Sequence, residues 1–418
     1  MDATDVKFGL PALERDGQRW TTVRGDLRFS THFQPIYSLS HRRAVGHEAL
    51  LRAQDGAGNP VSPLQVLASA AALGELLEVD RVCRWLHANN FASQRRGDHW
   101  LFVNVHPAVF ARGPQRGTRA FFNHLSEETG LKPSDIVLEV TEEAIGEDER
   151  FGQAVALARE LGCLLALDDF GAGHSNFDRV WNIRPEIVKL DRSVVRRAAQ
   201  EPRVARVVAQ MVSLLHECGA LVVCEGIETL DEGYLALESD VDFVQGYLFG
   251  RPAPDLCDIE GPLDPLEAVW QRFDEQHVRA ERCYQERLAP YLHALGNAAG
   301  WVATGRSVEE ACRPFLALPA AELCYLLDER GLQVGHNVTS ARFEGQLGAR
   351  FAPLADARQA RWAKRPYFRR ALENFGRVQV TRPYLTVHGA RLCVTASVSL
   401  RCRGQVLVLG GDISWEGE

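Results

Sequence analysis

Two adjacent acidic residues, Asp168 and Asp169, end an apolar run and precede a loop rich in glycine and small polar residues. The run, residues 164–167, has the length and composition of a buried strand. Two carboxylates side by side at the end of a buried strand resist ionising together, and a divalent metal ion relieves this by neutralising both. The alternative interpretation is a helix cap or a surface turn. The pair therefore suggests a metal site whose other ligands come from elsewhere in the chain.

Short β-rich runs elsewhere in the chain end in a polar residue, and amphipathic stretches such as 65–77 and 151–161 lie between most of them. Alternating strands and helices indicate a parallel sheet. Eight such runs predict a (β/α)8 TIM-like barrel. A doubly wound open sheet is the alternative, but the chain lacks the GxGxxG turn of that fold. The polar residues that end the runs are Gln34, Glu48, Asn104, Glu139, Asp168, Lys189, Glu225 and Gln245.

In such a barrel these polar side chains converge on one mouth, where the active site lies. Together with Asp169 they include five carboxylates and the amide of Asn104, oxygen ligands that suit Mg²⁺ or Mn²⁺ rather than zinc. Six ligands are too many for one catalytic ion, and they suit two ions about 3.5–4 Å apart, as used for in-line displacement at phosphorus. Asp168 is best placed to bridge the ions, and Lys189 is suited to hold a nucleophilic water or an anionic oxygen. The residues alone therefore predict phosphoester hydrolysis.

Composition limits the classes of protein to which the chain can belong. The 418 residues carry a formal net charge of −8 at pH 7, with 46% hydrophobic and 24% charged residues, which is ordinary globular composition for two to three domains. The acidic balance argues against a non-specific DNA-binding protein, which needs a basic face. Ten cysteines without a CxxC pair favour reduced thiols. Because no signal-peptide pattern and no apolar stretch of about 20 residues is present, we expect a cytoplasmic protein without a membrane span.

Several motifs together resemble the EAL domain of cyclic-di-GMP phosphodiesterases, over roughly residues 28–254. Glu48-Ala49-Leu50, within HEALLR and preceded by FQPI, matches the motif that names the family. The segments VNVHP, LEVTEE, DDFGAGHSNF, VKLDRS, CEGIET and VQGYLFGRP follow in the family's order and spacing. The resemblance implies a homodimer that hydrolyses cyclic di-GMP to linear pGpG with two Mg²⁺ or Mn²⁺ ions. The alternative is a catalytically inactive cyclic-di-GMP receptor that relays binding to a partner, and the intact ligand set favours the enzyme.

The same resemblance implies a role for individual residues. The ligands implied for the first ion are Glu48, Asn104, Glu139 and Asp168, and those for the second are Asp168, Asp169 and Glu225. The implied catalytic residues are Lys189, which would contact the attacking water or the phosphate, together with Glu48, Glu225 and Gln245. The implied substrate-binding residues are Gln34, Pro35, Leu51, Arg52, Asp191 and Gln245. The residues implied to couple the loop after Asp169 to the metals and the dimer interface are Glu142, Gly171 and Ser175.

A long helix is predicted after the barrel. Asp264 and Pro265 form a helix start, with an acidic N-cap and proline at the first helical position. Apolar and aromatic residues then recur every three or four positions, which favours a helix packed between two domains over a coiled-coil signalling helix. Pro290 is expected to kink this helix, and Gly296 to end it.

The C-terminal residues predict a small α+β domain of PAS-like fold, with strand-like runs at 322–328, 377–387, 392–400 and 405–413. The segments RPYFRRAL, VTRPYL, CVTASVSL and VLGGDIS resemble the Cache branch of that superfamily and the C-terminal domain of YkuI-type EAL proteins. Such a domain would serve as a sensor with a possible small-molecule ligand. Its candidate pocket residues are Arg365, Tyr367, Tyr384 and Asp412, with packing of the sheet as the alternative. The expected organisation is an N-terminal segment 1–22, an EAL domain 23–256, a linker helix 257–296 and a sensor domain 297–418.

Overall fold

The structure is a computed structural model that describes residues 10–95, 97–110, 117–141, 149–173, 177–257, 264–343, 356–386 and 391–415. The chain divides into two compact units, Met1–Glu275 and Gln276–Glu418. Within the described residues, no helix combines the length and the apolar character needed to cross a membrane.

A closed eight-stranded barrel forms the first unit. The strands of this unit are β1 (Glu14–Asp16), β2 (Arg19–Arg24), β3 (Leu27–Ser38), β4 (Arg43–Gln54), β5 (Pro60–Val61), β6 (Trp100–Asn104), β7 (Ile136–Thr141), β8 (Leu164–Phe170), β9 (Ile187–Leu190), β10 (Leu221–Cys224) and β11 (Phe243–Val244). The order around the barrel is β3-β11-β10-β9-β8-β7-β6-β4, and pairing of β3 with β4 closes it. The predicted TIM-like barrel is therefore confirmed.

One strand differs from the all-parallel expectation. β3 runs antiparallel to both of its neighbours, β4 and β11, whereas the other neighbouring strands of the barrel pair in parallel. Only four residues, 39–42, separate β3 from β4. So short a connection allows an antiparallel hairpin but not the crossover that parallel strands need.

Helices follow most of the barrel strands. They are α1 (Pro63–Ala72), α2 (Leu76–Gln94), α3 (Pro107–Phe110), α4 (Thr118–Thr129), α5 (Glu149–Leu161), α6 (Phe177–Ile183), α7 (Arg192–Gln200), α8 (Pro202–Glu217) and α9 (Leu230–Glu238). The stretch 65–77, predicted as one helix, is divided between α1 and α2. Gly74 adopts a φ of +75° between them, a backbone conformation that favours glycine and ends a helix.

The long helix α10 (Asp264–Ala303) begins where the sequence predicted it to begin. Its first turns pack on the barrel, where Leu266 and Val269 are buried and Trp270 Nε1 donates a hydrogen bond to the Leu39 carbonyl at 2.9 Å. The expected end at Gly296 is wrong, because the helix continues to Ala303. Residues 298, 299 and 302 are buried in the core of the second unit, and this packing outweighs the low helix propensity of glycine.

The second unit contains an antiparallel sheet in the order β13-β12-β17-β16-β14, with β15 also paired to β16. Its elements are α11 (Val308–Ala311), α12 (Arg313–Leu316), β12 (Ala321–Asp328), β13 (Gln333–Thr339), α13 (Pro366–Glu373), β14 (Gln379–Val380), β15 (Tyr384–Leu385), β16 (Leu392–Cys402) and β17 (Gln405–Ser414). The run predicted at 377–387 contains two short strands, because Pro383 between them has no amide hydrogen for the ladder. The sequence did not reveal β13, which contains Gly335 at a φ of +80°.

A buried histidine makes the stability of the barrel depend on pH. His87 is 4% exposed, and its Nδ1 lies 2.8 Å from Thr31 Oγ1. Burial, with a smaller contribution from the positive charge of Arg52, lowers the pKa of His87 to about 3. In the unfolded chain the pKa of histidine is about 6.5, so the unfolded state takes up the proton first as the pH falls.

We therefore predict that His87 lowers the unfolding free energy by about 1.4 kcal/mol per pH unit as the pH falls from about 6 towards 3. Urea unfolding at pH 7, 6, 5 and 4 measures this slope. His87→Gln should reduce the slope by that amount, and His41→Gln, at an exposed position between β3 and β4, is the surface control. Equal slopes for His87→Gln and the unmodified protein would contradict the prediction.

Candidate functional site

The polar residues at the carboxyl ends of the strands lie one layer above an apolar layer inside the barrel. Residues two apart on a strand share a face, so an apolar residue inside the barrel places the residue two positions later at the mouth. Six strands or their immediate extensions follow this pattern, and the paired residues are Phe102 and Asn104, Val137 and Glu139, Ala166 and Asp168, Ile187 and Lys189, Val223 and Glu225, and Phe243 and Gln245.

The antiparallel strands β3 and β4 contribute the other two residues. Gln34 and Glu48 lie directly opposite each other in the register of this pair. Gln245 Nε2 donates to Glu48 Oε2 at 2.7 Å and to Gln34 Oε1 at 3.3 Å. Asn104 Nδ2 donates to Glu48 Oε1 at 2.9 Å. Two side-chain amides therefore hold both oxygens of the Glu48 carboxylate.

Lys189 lies at the centre of the acidic residues and is 1% exposed. Its Nζ lies 2.5 Å from Glu139 Oε1 and 2.5 Å from Glu225 Oε1. The same atom lies 3.4 Å from Asp168 Oδ1 and 3.6 Å from Glu48 Oε2. Four carboxylates thus share one ammonium group, which cannot neutralise them all.

The excess of negative charge shifts the pKa values of the site. Burial and the neighbouring carboxylates raise the pKa of Glu225 to about 8, against the opposing effect of Lys189. Burial also raises the pKa of Glu139 well above its usual range, and burial and Asp168 raise that of Asp169. For Lys189, burial lowers the pKa, but the surrounding carboxylates outweigh it and the pKa is raised. A divalent cation would displace protons from these acids.

The chemistry of the oxygens fits divalent cations. Asp168, Asp169 and Glu225 each offer a carboxylate oxygen, and these atoms lie within 4.8 Å of one another. Glu139 Oε2 and Gln245 Oε1 are buried and make no hydrogen bond. A buried oxygen without a partner is costly, and a hard cation would satisfy it.

The ligands implied for the first ion are less tightly grouped. Glu48, Glu139 and Asp168 each have a carboxylate oxygen close to Lys189 Nζ. Neither belongs to a close group of three His, Cys or acidic side chains like the one formed by Asp168, Asp169 and Glu225 in the described part of the chain.

Backbone geometry explains how two adjacent residues of one strand serve the same site. Neighbouring side chains on a regular strand point to opposite faces. Asp169 departs from regular geometry with a φ of +57°, and the β8–β9 register shifts between Leu167 and Phe170. Both carboxylates consequently reach the mouth. In the sequence, only the adjacency of the two acids indicated that both serve one site. The left-handed backbone of Asp169 cannot be read from the sequence.

A cavity of about 880 Å³ opens beside these acids, and two predicted substrate-binding residues, Leu51 and Arg52, line it together with Asn104 and Asp169. Sequence reasoning missed that α1 forms one wall of this cavity. The cavity-lining residues on α1 are Pro63, Leu64, Leu67, Ala68 and Ala71, and their signal in the sequence was the largely apolar composition of this helix.

Some of the other residues predicted for the site lie near it, and the rest fall outside the residues that the structure describes. Pro35 is buried against Gly250, and Asp191 caps α7 by accepting a hydrogen bond from the Ser193 amide at 2.8 Å. Gly171 adopts a φ of +101° beside Val194. Of the predicted coupling residues, Glu142 and Ser175 fall outside the described residues.

The predicted pocket residues of the second unit also come together, in a small cavity of about 20 Å³. Asp412 is 6% exposed and its Oδ1 accepts a hydrogen bond from Thr395 Oγ1 at 2.7 Å. Burial raises the pKa of Asp412 to about 7. The Arg365 guanidinium lies 5.7 Å from the centre of the Tyr384 ring. The lining residues are Tyr325, Gln333, Asn337, Trp362, Arg365, Tyr367, Tyr384, Thr386 and Asp412.

Comparison with known proteins gives one family for the barrel. The sequence model of the EAL domain family matches residues 21–252 of this chain. The cyclic di-GMP phosphodiesterase RocR of Pseudomonas aeruginosa is 30% identical over 236 residues, which are 54% of this chain and 58% of RocR. The chain thus spans little more than half the length of this relative.

Two solved structures show the same architecture. YkuI of Bacillus subtilis, crystallised with cyclic di-GMP and calcium, has a TM-score of 0.77 at 20% identity, covering 93% of this chain and 96% of YkuI. BlrP1 of Klebsiella pneumoniae, in a complex with manganese and cyclic di-GMP, has a TM-score of 0.51 at 26% identity and covers 60% of each chain. The YkuI comparison extends the similarity of fold to nearly the whole chain.

The geometry at Asp169 yields a prediction about the metal-free protein. Asp169→Asn removes one charge from the acidic cluster and keeps a residue type that tolerates a left-handed backbone. We expect it to raise the unfolding free energy in EDTA by about 0.5–1 kcal/mol. Asp169→Ala should be about 1 kcal/mol less stable than the asparagine variant, because alanine is strained there.

Asp240→Asn provides the matched control, since Asp240 also has a left-handed φ, of +61°, but is absent from the acidic cluster. Urea unfolding of all three variants in EDTA measures the differences. If Asp169→Asn is no more stable than Asp240→Asn, repulsion at Asp169 is negligible.

Proposed function

Because the chain belongs to the EAL domain family, we propose that it hydrolyses one phosphodiester of cyclic di-GMP to give linear pGpG. The observation that carries the proposal is the convergence of Asp168, Asp169 and Glu225 beside the buried Lys189. This mouth joins a cavity of about 880 Å³, large enough for a dinucleotide. RocR, named as a cyclic di-GMP phosphodiesterase, supports the same substrate.

The proposal includes two Mg²⁺ or Mn²⁺ ions. Glu48, Asn104, Glu139 and Asp168 would hold the first, and Asp168, Asp169 and Glu225 the second. When bound, such ions neutralise phosphate charge and make a water molecule more nucleophilic near neutral pH. The unpartnered Glu139 Oε2 and the manganese in the BlrP1 complex support this use of divalent metals.

Residues of this chain would position the water and the phosphodiester for the reaction. The water oxygen attacks phosphorus and the water loses a proton. The bond from phosphorus to the 3′ oxygen breaks, and that oxygen takes up a proton, which leaves the 5′-phosphate and the 3′-hydroxyl of pGpG. Lys189 Nζ, between Glu139 and Glu225, is placed to hold the water or an anionic phosphate oxygen. Gln245 keeps Glu48 in position through its 2.7 Å hydrogen bond. Gln34, Pro35, Leu51, Arg52 and Asp191 would contact the substrate.

We extend the proposal to a homodimer in which the loop after Asp169 couples the dimer interface to the metals. Gly171 supports a specific loop conformation, because a β-carbon there would come within 2.4 Å of Val194 Cγ2. Glu142 and Ser175 would complete the coupling segment.

The second unit is proposed to be a PAS-like sensor domain of the Cache type that controls the barrel. Its antiparallel sheet and the cluster of polar and aromatic side chains around Asp412 support this role. A ligand that binds one of two arrangements of the protein more tightly shifts their populations. Typical coupling of about 1–3 kcal/mol corresponds to a change in activity of about 5- to 150-fold.

Removing a proposed metal ligand tests the enzymatic proposal. Asp168→Ala and Glu48→Ala should each lower cyclic di-GMP turnover by at least about 100-fold, because each removes a ligand from a two-ion site. Circular dichroism should show both variants folded. Glu217→Ala, at an exposed acid on α8, should retain full turnover. Turnover within a few-fold of the unmodified protein in either ligand variant would refute the two-ion assignment.

Changes in the small cavity test the sensor. In the full chain, Asp412→Asn and Tyr384→Phe both disturb the hydrogen bonds that meet at Thr395 Oγ1. We expect turnover of cyclic di-GMP to change by about 5-fold or more in both variants. Glu373→Gln, at an exposed position on α13, is the control and should not change it. If both cavity variants fold and match the control, the second unit does not regulate the barrel through this cavity.

A further inference from the structure

A second cavity of the barrel unit, of about 60 Å³, is lined by residues of α2, α4 and α5, and we call it the arginine cavity. Leu77, Arg81 and Arg84 line it from α2, at a spacing that places them on one side of the helix. The other lining residues are apolar apart from Thr118, and they include Val109, Phe110, Phe122, Leu138 and Leu157. Among the described residues, only Val105 also lines the large cavity beside the acidic cluster. The arginine cavity is therefore separate from the proposed substrate cavity.

Arg84 brings a fixed cation with an unused donor to this cavity. The residue is 7% exposed, its Nη2 pairs with Asp80 Oδ2, and its guanidinium lies 5.4 Å from the centre of the Phe121 ring. The other oxygen of this carboxylate, Asp80 Oδ1, accepts a hydrogen bond from the His106 amide at 3.0 Å. Arg84 Nε is buried and finds no hydrogen-bond partner among the residues that the structure describes. One donor of Arg84 is thus left for a ligand.

Arg81 adds a second cation that lacks a close anionic partner in the described part of the chain. Its Nη2 is buried and makes no hydrogen bond there. Burial and the positive charge of Arg84 lower the pKa of Arg81, and Glu78 and Asp80 act in the opposite direction without cancelling this effect. A guanidinium keeps its proton in proteins, and a buried donor without a partner is costly. The arginine cavity therefore has an excess of positive charge.

We propose that the arginine cavity binds a small monocarboxylate with a short apolar tail, of the size of propionate or butyrate. The two oxygens of a carboxylate match the planar donors of a guanidinium, and the tail would pack against apolar residues such as Leu138 and Leu157. A water molecule needs about 10–15 Å³ of such space, so the cavity suits a ligand of about four to six non-hydrogen atoms. Inorganic phosphate fits less well, because its additional charged oxygens would be buried against apolar side chains.

Two variants of the full chain remove the charge and the space separately. Arg81→Gln removes one cation and keeps the Arg84–Asp80 ion pair, and Arg206→Gln, at an exposed position on α8, is its control. Ala154→Leu fills the cavity from α5. Ala156→Leu is the control for this change, because Ala156 is exposed on the same helix and does not line the cavity. Leucine is a good helix former, so α5 should persist in both leucine variants.

The measurement is the Kd of butyrate, obtained by saturation-transfer NMR titration, with circular dichroism to show that each variant is folded. We expect a Kd of about 1 mM or lower for the unmodified protein. Arg81→Gln and Ala154→Leu should each weaken binding by about tenfold or more, and the two controls should match the unmodified protein. Acetate should bind about tenfold more weakly than butyrate because it lacks two methylene groups, and uncharged butyramide should also bind about tenfold more weakly.

Three results would overturn the proposal. The first is no saturable binding of butyrate to the unmodified protein below about 20 mM, or equal Kd values in the cavity variants and their controls. The second is equal affinity for butyramide and butyrate, because the arginines would then not recognise the ligand. The third is displacement of butyrate by an equal concentration of inorganic phosphate, which would show a general anion site in place of a carboxylate site.

Discussion

The site depends on one buried ammonium group that is surrounded by more negative charge than it can balance. Lys189 lies within 3.6 Å of carboxylate oxygens from Glu48, Glu139, Asp168 and Glu225. Burying this many acids is costly unless protons or cations compensate for them. Burial raises the pKa values of Glu139 and Glu225, in the direction that favours the neutral form of each acid. This excess of buried negative charge supports the proposal that the site binds divalent cations.

The barrel makes this arrangement possible by fixing where each acid lies. An apolar layer with Phe102, Val137 and Ile187 fills the interior, and the polar residues follow two positions later on the same strands. The antiparallel β3 adds Gln34 directly opposite Glu48. The scaffold therefore holds charges together that would separate if the chain were free to relax.

Most of the site could be predicted from the sequence because strand periodicity determines which residues face the mouth. The rule that polar residues at strand ends converge predicted that Glu48, Asn104, Asp168 and Lys189 lie together. The contacts among these four residues agree with this. It could not show that Lys189 contacts four carboxylates, since that depends on distances across the barrel. It also missed the left-handed Asp169, because the backbone conformation there is set by the β8–β9 register shift.

Tertiary packing accounts for the other differences. Glycine is typical of a helix end, but α10 extends past Gly296 because residues 298, 299 and 302 are buried in the core. Gly74 lies within an apolar pattern that resembles one helix, yet its positive φ divides α1 from α2. After that break, α1 forms a separate wall of the cavity.

We propose that this acidic mouth binds two metal ions, and a crystal structure with Mn²⁺ tests this most directly through anomalous scattering. We expect two anomalous peaks about 3.5–4 Å apart, both within reach of Asp168. One ion should contact Glu48, Asn104 and Glu139, and the other Asp169 and Glu225. A single peak, or no peak within reach of these residues at millimolar Mn²⁺, would contradict the claim.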